Sequence, residues 1–284
     1  MRLRLFNLIT WYVTHTSPHP GRGMLARLAW RLHPHEFVHE MAPGVRIKVR
    51  LDHEDEVAYW TNSYERHDEV HVFVSLLRPG MVVVDVGANI GMYTMLSAQA
   101  VRPSGRVFAF EPVPEVYRRL TDNLAISDIT NVVPTCLALS DVSGTAQFYL
   151  GRNDSMGSLY RAQTSAVIDV PTETLDGFLE RCGVAKVDAV KLDAEGAEMH
   201  IIRGMRRLLD RPDRPILFVE HNFGALRAAG SSAEELFTAI LQYGYAPHLV
   251  EKGRLRPVAA LVKPFRTSDE PYSNYIFLPR EPAA

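Results

Sequence analysis

Short apolar runs alternate with helical spacing along most of this chain. Val82–Val86 is a continuous β-branched stretch that stops at Gly87, and a helical pattern begins at Tyr93 and runs to about Val101. An apolar run of this kind predicts a strand buried on both faces, as in a parallel sheet. The pattern repeats. Arg106–Glu111 predicts a second buried strand, and Pro112 and Pro114 open a helix that runs to about Ile126. Asn131–Cys136 predicts a third strand. Val187–Asp193 and Pro215–His221 predict a fourth and a fifth, with a helix over Ala197–Leu209 between them. Before the first of these, Gly44–Arg50 alternates like a half-exposed strand, and 69–78 reads as a helix closed by Arg78-Pro79-Gly80. This β-α-β-α order predicts a doubly wound α/β sheet with helices on both faces. Two strand-like pieces near Tyr245–Val250 and Tyr275–Leu278 have no helix between them, which predicts an antiparallel hairpin at one sheet edge.

Two regions depart from the alternation. Thr145–Leu150 is strand-like and runs into the polar loop Gly151–Ser158, an expected β-excursion over the carboxyl edge of the sheet. Residues 1–43 hold an apolar start with two early arginines, then histidines and prolines. No small-residue cleavage site follows, and no run approaches the length of a transmembrane span. This extension is expected to be helical and to cap the core or contact a second subunit of a homo-oligomer, with attachment to a membrane surface as the less favoured reading. The core domain is expected over 44–284.

Composition narrows the function little. The chain has 284 residues, 31 basic and 33 acidic, for a net charge of −2. There is no basic stripe and no element suited to a flipped base, so nucleic acid is not the expected partner. Cys136 and Cys182 form no disulfide framework, and a cytoplasmic location is the default.

The chemistry collects at the strand ends. Gly87 and Gly91 allow a ligand to lie against backbone, and the helix that follows aims its unpaired N–H groups at the loop. Glu111 lies about 20 residues on, where a carboxylate can accept from two ribose hydroxyls. The loop reads Gly-x-x-x-Gly, without the Gly-x-Gly-x-x-Gly spacing that brings backbone close to a pyrophosphate. Asn89 and Thr94 suit an amino-acid-like headgroup better, which points to S-adenosylmethionine. An NAD(P)-dependent oxidoreductase with a Rossmann-like fold is the alternative, and a scaffold without activity is the third reading.

Asp85-Val86-Gly87-Ala88-Asn89-Ile90-Gly91 with Thr94, then Phe110-Glu111-Pro112, then Lys191-Leu192-Asp193-Ala194-Glu195-Gly196-Ala197-Glu198 and Gly204 resemble the FkbM-type family of S-adenosylmethionine-dependent methyltransferases. The resemblance covers roughly residues 44 to 222. It implies a class I methyltransferase fold with a seven-strand sheet, and O-methylation of a hydroxyl on a sugar, glycan or polyketide-type natural product. The cofactor is then expected against Asp85, Gly87, Ala88, Asn89, Gly91, Tyr93, Thr94, Glu111, Pro112, Ser140, Asp141 and Asp193. Asn153, Ser155, Ser158 and Glu195 are expected at a small-molecule or glycan acceptor, and Tyr64 and Glu65 are further candidates from the N-terminal side.

Methyl transfer to an alcohol benefits from a base near the hydroxyl. His221, at the end of the fifth strand, is the leading candidate because imidazole titrates near neutrality. Asp193 is its rival, and Lys191 is expected to pair with Asp193 or Glu195. A divalent metal such as Mg²⁺ is the less favoured alternative, with Asp193, Glu220 and Asn222 as its oxygen ligands.

Overall fold

The computed structural model describes residues 2–16, 21–61, 68–150, 158–159, 166–262 and 272–280. The chain opens with helices α1 (Arg2–His15) and α2 (Arg22–Leu32), followed by strands β1 (Phe37–Ala42) and β2 (Val45–Val49). The two strands form an antiparallel hairpin through Pro43-Gly44, so the expected division at 43/44 falls inside one supersecondary unit. Helices α3 (Glu54–Trp60) and α4 (Asp68–Leu76) lead into the main sheet.

The predicted alternation follows in order. Strand β3 (Val82–Val86) is succeeded by α5 (Met92–Val101), β4 (Arg106–Phe110), α6 (Pro114–Ile126) and β5 (Val132–Thr135). An excursion then builds a separate three-stranded sheet in the order β6-β8-β7, from β6 (Ala138–Leu139), β7 (Gly144–Tyr149) and β8 (Val167–Glu173). The chain returns through α7 (Leu175–Arg181) to β9 (Ala189–Leu192). Next come α8 (Glu198–Gly204), α9 (Arg206–Leu209), β10 (Ile216–Asn222), α10 (Phe223–Ala228) and α11 (Ala233–Gln242). The last strands are β11 (Tyr245–Glu251), β12 (Arg254–Pro257) and β13 (Tyr272–Pro279).

The main sheet has eight strands in the order β12-β11-β13-β10-β9-β3-β4-β5. Neighbours from β10 through β5 pair parallel, and β13 runs antiparallel to both β10 and β11. This is the class I methyltransferase fold, with an eighth strand where seven were expected. The extra strand is β12, which pairs back on β11 at the sheet edge. The expected closing pair, β11 and β13, is indeed antiparallel, but β13 is inserted beside β10 rather than left at the margin. Insertion buries its apolar residues on both faces, and Tyr275, Ile276 and Phe277 are fully buried.

The helix expected over Ala197–Leu209 is interrupted at Met205, between α8 and α9. The α8 end packs directly on the backbone of Ser140, where a Cβ on Gly204 would lie 2.0 Å from the Ser140 carbonyl oxygen. One apolar layer, including Val190, Leu217, Val219, Ile201 and Leu236, fills one side of the sheet. On the other side the N-terminal helices add Phe6, Ile9, Val13, Ala26 and Ala29 to a layer that reaches Ala88, Ile90 and Leu120 beside the glycine loop. The N-terminal segment therefore shares a core with the loop that follows β3.

Candidate active site

The carboxyl ends of β3, β4, β9 and β10 converge on a cavity of about 270 Å³. Its floor is the turn after β3. Gly87 has φ +71°, and a Cβ there would lie 1.8 Å from the Asp193 carbonyl oxygen, so only glycine lets the two strand ends approach. The Gly87 and Ala88 N–H groups both donate to the Phe110 carbonyl, at 3.1 and 3.0 Å. Asn89 is left-handed at φ +50°, and its side-chain oxygen accepts from the Ile90 N–H at 2.7 Å. Gly91, at φ +104°, caps α5 and meets Leu120. Gly91 and Asn89 therefore shape the turn, while Gly87, Ala88, Asn89 and Tyr93 line the cavity itself.

Glu111 sits at the end of β4 as expected, but it is a buried group. Its two oxygens accept from the Asn89 and Val113 N–H groups, each at 3.0 Å. Burial pushes its carboxyl up to about 7, although the two backbone hydrogen bonds oppose the rise. Each oxygen keeps a second lone pair, and the residue lines the cavity beside Pro112. The cavity also has an apolar lining, built from Phe110, Val113, Leu137, Ala138, Leu139 and Phe148. Leu137, Ala138 and Leu139 come from a stretch after β5 to which the sequence assigned no role, and Phe148 comes from the excursion expected over the carboxyl edge.

The other end of the cavity is charged. Asp85 and Lys191 are register partners on β3 and β9, and Lys191 pairs with Phe218 on β10, so all three side chains share one face of the sheet. Lys191 Nζ lies 3.2 Å from Asp193 and 3.5 Å from Asp85, over the Tyr93 ring at 4.9 Å. Burial alone would lower the Lys191 ammonium, but the Asp193 and Asp85 carboxylates outweigh it and hold it above its ordinary value. Lys191 therefore stays charged, and it neutralises acids instead of accepting a proton. Asp85 also accepts from the Thr94 hydroxyl at 2.6 Å, so this pair braces the start of α5 beneath the cavity wall.

Asp193, Glu195 and Glu220 bring one carboxylate oxygen each within 4.8 Å of one another. Glu195 is held in a left-handed conformation at φ +48°, followed by Gly196 at φ +103°. Two contacts fix this turn. The Glu198 carboxylate accepts from the Ala194 N–H at 2.8 Å and the Gly196 N–H at 3.0 Å. The Ser158 hydroxyl donates to the Glu195 carbonyl at 2.6 Å. Burial raises the Glu198 carboxyl to about 7. Burial, together with the nearby Asp193 and Glu195 carboxylates, pushes Glu220 well above the usual carboxylate range. Its Oε2 is buried with no hydrogen-bond partner among the described residues.

Several expectations need correction. His221 is not at the cavity. It is fully buried on the opposite face of β10, with its ring 4.8 Å from Tyr275 and 6.0 Å from Phe277. Burial lowers its imidazole to about 4, so it stays neutral there. Neighbouring strand residues point to opposite faces, and the cavity receives Glu220 instead. Ser140 and Asp141 turn away because the chain leaves β5 to pair β6 with β8. Asp141 instead meets His200 at 3.0 Å, in a separate surface groove. Asn222 is not available as an oxygen ligand, because its carbonyl oxygen caps α10 by accepting from Gly224 and Ala225. Glu195 takes that place in any cation-binding set. Ser158 holds backbone and does not line the cavity. Asn153, Ser155, Tyr64 and Glu65 lie outside the described residues.

The sequence is similar to known methyltransferases. Residues 85–247 match the Methyltransferase FkbM domain. A hexuronic acid methyltransferase, AglP from Haloferax volcanii, is 33% identical over 128 residues, covering 45% of this chain and 51% of that protein. The 2-O-methyltransferase NoeI from Sinorhizobium fredii is 27% identical over 169 residues, 53% of this chain and 67% of its own length. The 31-O-demethyl-FK506 methyltransferase FkbM from Streptomyces tacrolimicus is 30% identical over 160 residues, 45% of this chain and 61% of that one. The matches thus span between about half and two thirds of these relatives. The domain match covers more than half of the chain and contains the glycine turn, Glu111 and the Asp193–Glu198 segment, so the protein belongs to the FkbM methyltransferase family.

Proposed function

We propose that this protein is an S-adenosylmethionine-dependent O-methyltransferase that acts on a hydroxyl of a sugar, a glycan or a polyketide-type natural product. The observation that carries the reading is the cluster of Asp193, Glu195 and Glu220 at the charged end of a cavity whose other end offers Glu111 and an apolar wall. The named relatives act on a hexuronic acid, at a 2-O position and at the 31-O position of FK506, which supports hydroxyl acceptors.

Each part of the cavity has a task in this reading. The apolar wall takes the flat base of the nucleoside, and Glu111 accepts from the ribose hydroxyls with its remaining lone pairs. Asp193 receives the cofactor's ammonium. The cofactor, when bound, would supply a sulfonium methyl carbon open to in-line attack by an oxygen nucleophile, with the neutral thioether S-adenosylhomocysteine as the leaving group. The protein's part is to hold the acceptor hydroxyl on that line and to take its proton. Glu220 is the proton acceptor we assign. Burial and the Asp193 and Glu195 carboxylates raise its proton affinity above that of an ordinary carboxylate, which makes it the stronger base when ionised. Glu195, 3.5 Å from the Asn222 amide, is placed to orient the acceptor.

A second reading has one specific observation behind it. The same three carboxylates form an oxygen set that fits a divalent cation, which would lower the acceptor's own pKa. Lys191 against Asp193 already supplies positive charge there, and we therefore favour the carboxylate base. Cytoplasmic residence belongs to the same proposal, since Cys136 and Cys182 are both unpaired thiols.

Calorimetry with S-adenosylhomocysteine and with NAD tests the cofactor assignment. Low-micromolar or tighter S-adenosylhomocysteine binding is expected, about −8 kcal/mol. NAD binding with no response to S-adenosylhomocysteine would overturn it. Transfer of labelled methyl groups to a panel of uronic acids, glycans and macrolide alcohols then tests the acceptor class.

A further inference from the structure

The helical pair at the start of the chain carries large apolar side chains that stay exposed among the described residues. Phe6, Ile9 and Val13 of α1, and Ala26 and Ala29 of α2, face inward and are buried. Beside that buried stripe, Leu5, Leu8 and Tyr12 follow one another at helical spacing and are exposed. Leu8 is 60% exposed, Trp11 58% and Met24 65%, with Leu28 one turn beyond Met24. Arg4, Arg27 and Arg31 are exposed alongside, and among the described residues none of them pairs with a carboxylate. Residues 1–35 contain five arginines and no Asp or Glu, although the chain as a whole carries −2. The positive charge is therefore concentrated beside the apolar stripes, and the rest of the chain is acidic.

We propose that α1 and α2 dock this protein on an anionic phospholipid surface. Leucine, tryptophan and tyrosine on one side of a helix, bordered by arginine, are what an interfacial helix needs. The apolar groups enter the headgroup region and the cations meet lipid phosphates. A second copy of the chain is a poorer occupant. A twofold interface would set this patch against itself, bringing arginines together with no acid in either helix to oppose them. No helix among the described residues is long and apolar enough to cross a membrane, so the attachment is to the surface. The docking surface is tied to the catalytic fold. Arg22, buried between the helices, donates to the carbonyls of Val13, Thr16 and Thr61, and α3 just before Thr61 contributes Tyr59 to the cavity. The inference does not depend on the methyltransferase assignment, because it is read from lipid binding alone.

The test uses the full chain with vesicles of phosphatidylcholine, with or without phosphatidylglycerol. The protein should float with the anionic vesicles and not with the neutral ones, and it should be released at high salt. Tryptophan emission should shift to the blue on binding. That shift should vanish in Trp11→Phe, because Trp60 is buried and Trp30 is half-buried. Leu8→Ser combined with Leu28→Ser, and separately Arg4→Gln combined with Arg27→Gln, should each weaken vesicle binding about tenfold or more, with an unchanged thermal midpoint. Equal partition to both vesicle types, or none to either, would overturn the proposal. So would a concentration-dependent dimer that Leu8→Ser dissociates, which would assign the surface to a second copy.

Discussion

If Glu111 holds the cofactor's ribose as proposed, cofactor binding should depend on pH in a direction that its burial sets. Its carboxyl is raised to about 7 by burial, against an ordinary value of 4.5. Only the ionised group can accept from both ribose hydroxyls while still accepting from Asn89 and Val113. With a pKa of about 7, roughly one tenth of the empty sites are ionised at pH 6 and roughly nine tenths at pH 8. S-adenosylhomocysteine affinity should therefore rise up to about tenfold over that interval, or about 1.4 kcal/mol. Glu111→Gln removes the titration. The variant should bind about 1.5–3 kcal/mol more weakly at pH 8, and the gap should narrow toward pH 6. Calorimetry of both proteins from pH 6 to 8 measures this, and any slope common to both belongs to the ligand. A wild-type affinity that is flat with pH, or a Gln variant that keeps the full slope, would show that Glu111 does not hold the ribose. Glu111→Ala would strand two backbone N–H groups, that of Asn89 in the glycine turn and that of Val113 at the start of α6, so glutamine is the cleaner variant.

Further outcomes follow from the other buried groups. His221 has a folded-state value of about 4, below its ordinary 6.5, so its contribution to stability is present above pH 6.5 and lost as pH falls through about 4. In His221→Phe, chemical denaturation should show a smaller acid loss, and kcat should stay within about threefold; a drop of about 10²-fold would restore it as the base. Glu198, raised to about 7, has the opposite sign: its contribution is present below pH 4.5 and lost as pH rises through about 7, a dependence that Glu198→Gln should flatten in denaturant titrations. Glu220→Gln should lower kcat about 10²-fold with S-adenosylhomocysteine affinity nearly intact, and turnover should survive EDTA; loss to EDTA with recovery in Mg²⁺ would favour the metal reading. Gly87→Ala would place a methyl 1.8 Å from the Asp193 carbonyl, at positive φ, and should cost about 3 kcal/mol or more in thermal and denaturant unfolding.

Much of the architecture was legible in residue order, because its signals are local. The apolar runs at Val82–Val86, Arg106–Phe110 and Ala189–Leu192 are strands, and Gly87 and Gly91 mark the turn at the cavity. The FkbM motifs lie within these same short stretches. What sequence could not decide was which way side chains point from strands buried on both faces. A continuous apolar run has no alternation to reveal parity, so the sequence favoured His221 as the base and left Glu220 as an alternative metal ligand. The register of β10 between β9 and β13 settles it, sending Glu220 to the cavity and His221 into the aromatic layer with Tyr275 and Phe277. Long-range packing made the other choices. The pairing of β6 with β8 diverts Ser140 and Asp141, and the Asn222 side chain is taken by the N-terminus of α10. The acidic trio itself joins residues 193, 195 and 220 from two strand ends. Chain order alone carries no distance between groups brought together by sheet pairing, and that distance is what sets their charge and their chemistry.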